Sequence, residues 1–94
     1  MTCLALTQGS VFASATLALE NGCFSCHGAQ LRGEAHSFAH MATKLSRLKG
    51  NAIAQAEFAD KYRSGQPLER IHAHERLSAN TAQLLVHWLA EGAH

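Results

Sequence analysis

Residues that favour β-strands are scarce in this 94-residue chain, which has two Val and two Ile among many Ala and Leu. Pro, which breaks helices, occurs once. This composition favours helices over a sheet. An excess of charge of one sign is also missing, since eight Lys and Arg stand against seven Asp and Glu. The charges are scattered singly, so a nucleic-acid partner is not expected. No run of about 18 apolar residues occurs, so no membrane span is expected. We therefore predict one small all-α domain.

The most distinctive pattern in the chain is C-x-x-C-H, from Cys23 to His27. This spacing is the attachment signature of a c-type haem. Two thiols on one tight turn can add to the two vinyl groups of the porphyrin, and the adjacent His27 then binds the iron as the proximal ligand. Gly22 and Gly28 flank the pattern and suit a sharp turn close to a flat cofactor. The pattern predicts one haem c per chain, bound through Cys23, Cys26 and His27.

Two other chemistries use a C-x-x-C pair. A thioredoxin-type dithiol requires a βαβ context, and a chain with two Val and two Ile does not favour such a sheet. A small zinc-binding module is the closer alternative, because Cys23 and Cys26 are followed by His36 and His40. The spacer between the two pairs is shorter than the roughly twelve residues of a typical zinc finger. Zinc would also leave His27 unexplained, so haem is the favoured interpretation.

Apolar periodicity and capping residues predict four helices. The predicted helices span residues 16–21, 37–49, 52–64, and about 78 or 80 to 92, with a loop at 65–77 between the last two. Ser37 and Asn51 are the expected N-caps of the second and third helices. Because 94 residues bury only a modest core, a large apolar cofactor would supply much of the interior.

The beginning of the chain resembles the end of a signal peptide. A mildly apolar stretch leads to an A-x-A sequence at 13–15. We therefore expect an exported, periplasmic protein, with a truncated signal peptide at 1–15, which includes Cys3, and a domain at 16–94. No Lys or Arg precedes the apolar stretch, so the alternative is a first helix that begins earlier, near Ser10.

Between residues 16 and 93 the chain resembles the class I cytochromes c, which are small helical monohaem electron carriers. The shared features are a short helix leading into C-x-x-C-H, amphipathic middle helices, and a terminal helix opened by Leu77 and Ser78. The resemblance implies a helical domain wrapped around one covalent haem, with the terminal helix crossing the first. It implies an electron carrier and not an enzyme. The implied partners are transient redox proteins, with association to a larger oxidoreductase as a further candidate.

The chain departs from this family at the second iron ligand, which in the family is usually a Met in the loop before the last helix. Residues 68–78 contain no Met. Ile71 stands near the position of that Met, and His72 and His74 follow it. We expect one of these two histidines to bind the iron, with His72 slightly preferred because it is nearest to the Met position. Bis-histidine ligation should lower the reduction potential relative to Met and His ligation.

Two alternatives remain for the sixth iron position. Met41 is one, although it lies on the apolar stripe of a predicted helix, where a core role is favoured. The other is an open site at which a small gas such as CO or NO binds. The expected apolar wall around the porphyrin consists of Phe58, Tyr62, Leu85 and Trp88. His36, His40 and His87 are expected at the surface.

Overall fold

The structure is a computed structural model that describes residues 15–33, 35–65 and 71–93. Of these residues 68% are helical and none forms a strand, which confirms the all-α prediction. The elements are α1 (15–20), α2 (Phe24–His27), α3 (Phe38–Leu45), a 3₁₀ turn (Ser46–Leu48), α4 (Ala52–Ser64), α5 (His72–Glu75) and α6 (Ala79–Ala90). The expected signal peptide at 1–15 falls almost wholly outside the described residues, as does Cys3.

The second predicted helix forms as two pieces. Its N-cap is the expected Ser37, whose hydroxyl accepts a hydrogen bond from the His40 N–H at 3.1 Å. The α-helix then ends at Leu45 and the chain continues as a 3₁₀ turn. The hydroxyl of Ser46 donates to the Thr43 carbonyl at 2.7 Å. A side chain that bonds locally to the backbone in this way competes with regular α-helical geometry.

The third and fourth predicted helices form close to their predicted bounds. The Asn51 side chain accepts a hydrogen bond from the Ala54 N–H at 3.0 Å and so opens α4 at the predicted residue. The Ser78 hydroxyl caps α6 in the same way. Helix α6 packs against both α4 and α3, so these three helices form the body of the domain.

The core between these helices consists of small and medium-sized side chains. One cluster contains Leu45, Leu48, Leu89 and Ala90, and a second contains Ala59, Ala82 and Val86. The described residues include no large side chain that is fully buried. One polar side chain, Gln55, is buried beside the core and donates to the Leu48 carbonyl at 2.9 Å. The core is therefore modest, as the chain length predicts.

The predicted loop at 65–77 contains a helical turn that the periodicity did not reveal. Helix α5 is one turn long and packs against α4. Its N-cap, Ile71, makes no side-chain capping bond, so the usual start signal is missing. Residues 66–70 lie outside the described residues. The packing against α4 fixes where His72 and His74 lie relative to the rest of the domain.

Candidate functional site

The end of α1 directs the chain into the C-x-x-C-H pattern. The Cys23 N–H donates to the Ala18 carbonyl at 3.0 Å, and the Gly22 N–H donates to the Leu19 carbonyl at 3.1 Å. This pair of bonds is a Schellman motif, which requires a left-handed residue at the position of Gly22. Gly22 has φ +73°, a conformation that is strained for any residue with a Cβ. The glycine before the pattern therefore serves to reverse the chain.

The pattern itself forms α2, a single helical turn. The His27 N–H donates to the Cys23 carbonyl at 2.9 Å. A Cβ on Gly28 would clash with the carbonyl oxygen of Phe24, so this position accepts only glycine unless the turn opens. Both cysteines are free thiols. Burial raises the pKa of the Cys23 thiol, so it stays protonated at neutral pH, while Cys26 is exposed.

The ring of His27 is held by the backbone of the segment that precedes α3. Its Nδ1 lies 2.6 Å from the His36 carbonyl oxygen. A carbonyl can only accept, so Nδ1 carries the proton and donates it, which leaves the Nε2 lone pair free. Histidines that bind metals commonly donate their other ring N–H to a carbonyl in this way. Nε2 is therefore the ring atom that could bind a proton or a metal.

The ring that faces His27 belongs to His74. The two ring centroids are 6.4 Å apart and the ring planes differ by 9°. Two imidazoles that bind one metal from opposite sides at about 2 Å, with each centroid roughly 1.1 Å behind its nitrogen, have centroids about 6.2 Å apart. The observed centroid separation of 6.4 Å is close to this value, and imidazole is a donor that haem iron takes.

The two candidate histidines of the loop are placed differently. His74 is about half-buried, whereas His72 is exposed to solvent. The structure therefore places His74, and not His72, beside His27. His72 was the residue slightly preferred because it is nearest to the Met position. Burial and the neighbouring His27 lower the pKa of His74 from its ordinary value of 6.5. A lowered pKa favours the neutral imidazole, which is the form that binds metals.

Aromatic rings surround both histidines. The Phe38 ring lies 5.8 Å from His27, 5.0 Å from Phe24 and 5.6 Å from Trp88. On the other side, the Tyr62 ring lies 5.5 Å from His74. Of the expected wall, Tyr62 contacts a histidine directly and Trp88 contacts one only through Phe38. Phe38 lies within the second predicted helix, and nothing in the sequence links it to the site.

Two further members of the expected wall lie behind these rings. Phe58 contacts the Tyr62 ring, with centroids 4.6 Å apart, and packs against both core clusters. Leu85 is buried on α6. The alternative iron ligand Met41 is partly buried and packs against the cluster of Leu45 and Leu89, the core role that its position on α3 predicts.

The remaining histidines do not join the site. The rings of His36 and His40 lie 4.4 Å apart. Among the described residues, however, no three His, Cys, Asp or Glu side chains are grouped closely enough to hold a metal ion. Thus the zinc alternative's two cysteines and two histidines do not converge. His87 is exposed, and its Nδ1 lies 3.1 Å from the Gln55 side-chain oxygen.

Comparison of the chain with protein-family models, with curated proteins and with solved structures finds no match. No helix among the described residues is long and apolar enough to cross a membrane. Function is therefore inferred from the C-x-x-C-H pattern and from the two facing histidine rings.

Proposed function

We propose that the chain is a c-type monohaem cytochrome that transfers single electrons. The observation that supports this most strongly is the placement of a second histidine ring opposite the histidine of the C-x-x-C-H turn. In this proposal Cys23 and Cys26 form the two thioether bonds. His27 is the proximal iron ligand and His74 is the distal one.

The residues around the site suit this role. When bound, the haem supplies a one-electron Fe(III)/Fe(II) couple. The hydrogen bond from His27 to the His36 carbonyl increases the basicity of the ligating nitrogen and fixes the ring orientation. Two imidazole donors favour the oxidised iron more than a thioether and an imidazole do, so we expect a lower potential than in carriers with Met and His ligands.

The aromatic side chains support the proposal in a second way. Phe38 and Tyr62 lie beside the two histidines and are only partly buried among the described residues. Partly buried rings at a cofactor site provide the apolar lining that a porphyrin needs. Residues 15–33, 35–65 and 71–93 include no large side chain that is fully buried, as expected of a small domain whose interior is completed by a cofactor.

An electron carrier of this type makes and breaks no bonds in a substrate. We expect the protein to be exported to the periplasm, where it meets its redox partners. Such encounters bury little surface and are transient. A role as the electron-transfer subunit or docking partner of a larger oxidoreductase is compatible with the same site.

The proposal is tested by the visible absorption spectrum of the matured protein in the oxidised form, the reduced form, and the reduced form under CO. We expect sharp low-spin bands that CO does not change, and haem that stays with the protein under denaturing conditions. A variant with both Cys23→Ala and Cys26→Ala is the matched control and should release its haem. A CO-induced shift in the parent protein would favour gas binding. Zinc without haem, together with unfolding by a chelator, would favour the zinc module.

A further inference from the structure

The two facing histidines are held in different ways. The His27 ring is fixed by its hydrogen bond to the His36 carbonyl. Among the described residues no hydrogen bond to the His74 ring is present, and the rings of His27 and Tyr62 lie beside it. A ring contact is therefore available to set the plane of the His74 ring.

The geometry points to Tyr62 as a positioning residue that holds the His74 ring parallel to the His27 ring. This inference rests on the proposed function, in which both rings bind one iron. The Tyr62 and His74 centroids are 5.5 Å apart and the ring planes meet at 65°. This is an edge-to-face contact, an arrangement that aromatic rings prefer because a positive edge meets a negative face. Rotation of His74 about its side-chain bonds would lose this contact.

Tyr62 is well placed to act in this way. It lies on α4, which is capped by Asn51 at one end and by Gly65 in a left-handed conformation at the other. The ring of Phe58, one turn earlier on the same helix, packs against Tyr62 with centroids 4.6 Å apart. By contrast, α5 is a single turn, too short to be stable by itself. The longer helix therefore supplies the rigid support, and the short one supplies the ligand.

The orientation of the two imidazole planes has a spectroscopic consequence. Parallel planes act together on the iron d orbitals and give a rhombic low-spin signal in electron paramagnetic resonance (EPR). Perpendicular or disordered planes give a more axial or a broadened signal. The ferric EPR spectrum therefore reports the quantity that Tyr62 is inferred to control, and it is independent of electron-transfer activity.

The test compares Tyr62→Leu with Tyr62→Phe in the haem-loaded protein. Because the contact is made by the ring and not by the hydroxyl, Tyr62→Phe should keep the rhombic EPR spectrum of the parent. Tyr62→Leu should broaden the signal or make it more axial.

Leu48→Ala is the matched control. Leu48 is buried in one core cluster and is not part of the expected wall around the porphyrin, so its replacement should lower the unfolding temperature through the cavity that it leaves. Its EPR spectrum should nevertheless match the parent. A stability loss without a spectral change separates a structural role from a positioning role.

Three results would overturn the inference. The first is a parent-like EPR spectrum in Tyr62→Leu, and the second is an equal change in Tyr62→Phe and Tyr62→Leu. The third is a spectral change in Leu48→Ala as large as that in Tyr62→Leu. If Tyr62→Leu does not retain haem, Tyr62→Met is measured in its place with the same criteria. A parent protein with no low-spin haem signal would instead refute the proposed function.

Discussion

Replacement of each loop histidine in turn tests the choice between His74 and His72. We predict that His74→Ala opens the sixth iron position, so that the reduced protein binds CO. His72→Ala should leave the low-spin spectrum of the parent unchanged, because the His72 side chain is exposed and the ring that faces His27 is that of His74. Met41→Ala should also leave the spectrum unchanged, since Met41 packs against the core.

The size of the effect follows from the geometry of α5. Two positions along a helix are separated by a rotation of about 200°, so His72 projects from the opposite side of the turn. For His72 to replace His74, the turn must be rebuilt. Four backbone hydrogen bonds close it: His74 N and Glu75 N each donate to Ile71 O, Arg76 N donates to His72 O, and Leu77 N donates to His74 O.

Loss of four such bonds costs about 2–6 kcal/mol, at roughly 0.5–1.5 kcal/mol each. Because 1.4 kcal/mol corresponds to a factor of ten, the lower bound disfavours His72 ligation by about thirtyfold. We therefore expect more than about 90% of reduced His74→Ala to bind CO at saturation. In His72→Ala, as in the parent, the expected fraction is close to zero.

The measurement is a CO titration of the dithionite-reduced proteins followed in the visible haem bands. Circular dichroism on the same samples checks that the variants are folded. If His74→Ala keeps its low-spin bands under saturating CO while His72→Ala loses them, the assignment of the distal ligand to His74 is wrong. If both variants keep the parent spectrum, neither histidine binds the iron.

Three further predictions concern the pH response, the turn and the core. Burial and the neighbouring His27 lower the folded-state pKa of His74 from 6.5, so its contribution to stability is present above pH 6.5 and is lost as the pH falls through the lowered value. In an NMR titration of the haem-free protein the His74 imidazole should be mainly neutral at pH 6.5 and take up its proton on further acidification. A midpoint above pH 6.5 would contradict this. Gly28→Ala should lower the free energy of unfolding by about 1–3 kcal/mol through steric overlap, and it should reduce the yield of covalent haem. Ser25→Ala, at an exposed position, is the control. An unchanged haem yield in Gly28→Ala would show that the turn tolerates a Cβ. Leu89→Ala should lower the free energy of unfolding, measured by chemical denaturation, by about 2–4 kcal/mol because it leaves a cavity. Leu84 is 40% exposed, so Leu84→Ala should lower it by less than about 1 kcal/mol. Equal losses would place Leu89 outside the core.

The helices whose bounds were predicted most accurately are those with capping residues at their ends. Helix α4 has both its predicted bounds because Asn51 caps one end and Gly65 ends the other. Helix α6 begins directly after Ser78, one of the two predicted starting points, and the Ser78 side chain caps it. In both cases the capping bond joins residues three positions apart, so the information lies within one short segment. The 3₁₀ turn at Ser46–Leu48 differs from the prediction, and it begins at the residue whose hydroxyl donates to the Thr43 carbonyl.

Only the part of the candidate site that lies within one short segment of sequence was predictable. The C-x-x-C-H pattern brings Cys23, Cys26 and His27 together within one turn. The facing ring of His74, however, depends on how α5 packs against α4, a contact between segments far apart in sequence. Helix α5 has no capping side chain and only four residues, so periodicity could not find it. The acceptor of the His27 ring proton is a backbone carbonyl, which has no sequence signature at all.

The two proposed iron ligands lie on the shortest described helices, and longer elements hold both of those helices in place. Helix α2 follows directly from the Schellman turn of α1, while α5 packs on α4. Single turns are not stable in isolation, because helix nucleation fixes several dihedral angles for one hydrogen bond. A metal that binds both histidines would tie the two turns together and stabilise the folded state by the free energy of binding. Cofactor binding and the ordering of α2 and α5 are therefore expected to be coupled, while the body of α3, α4 and α6 relies on its own apolar core.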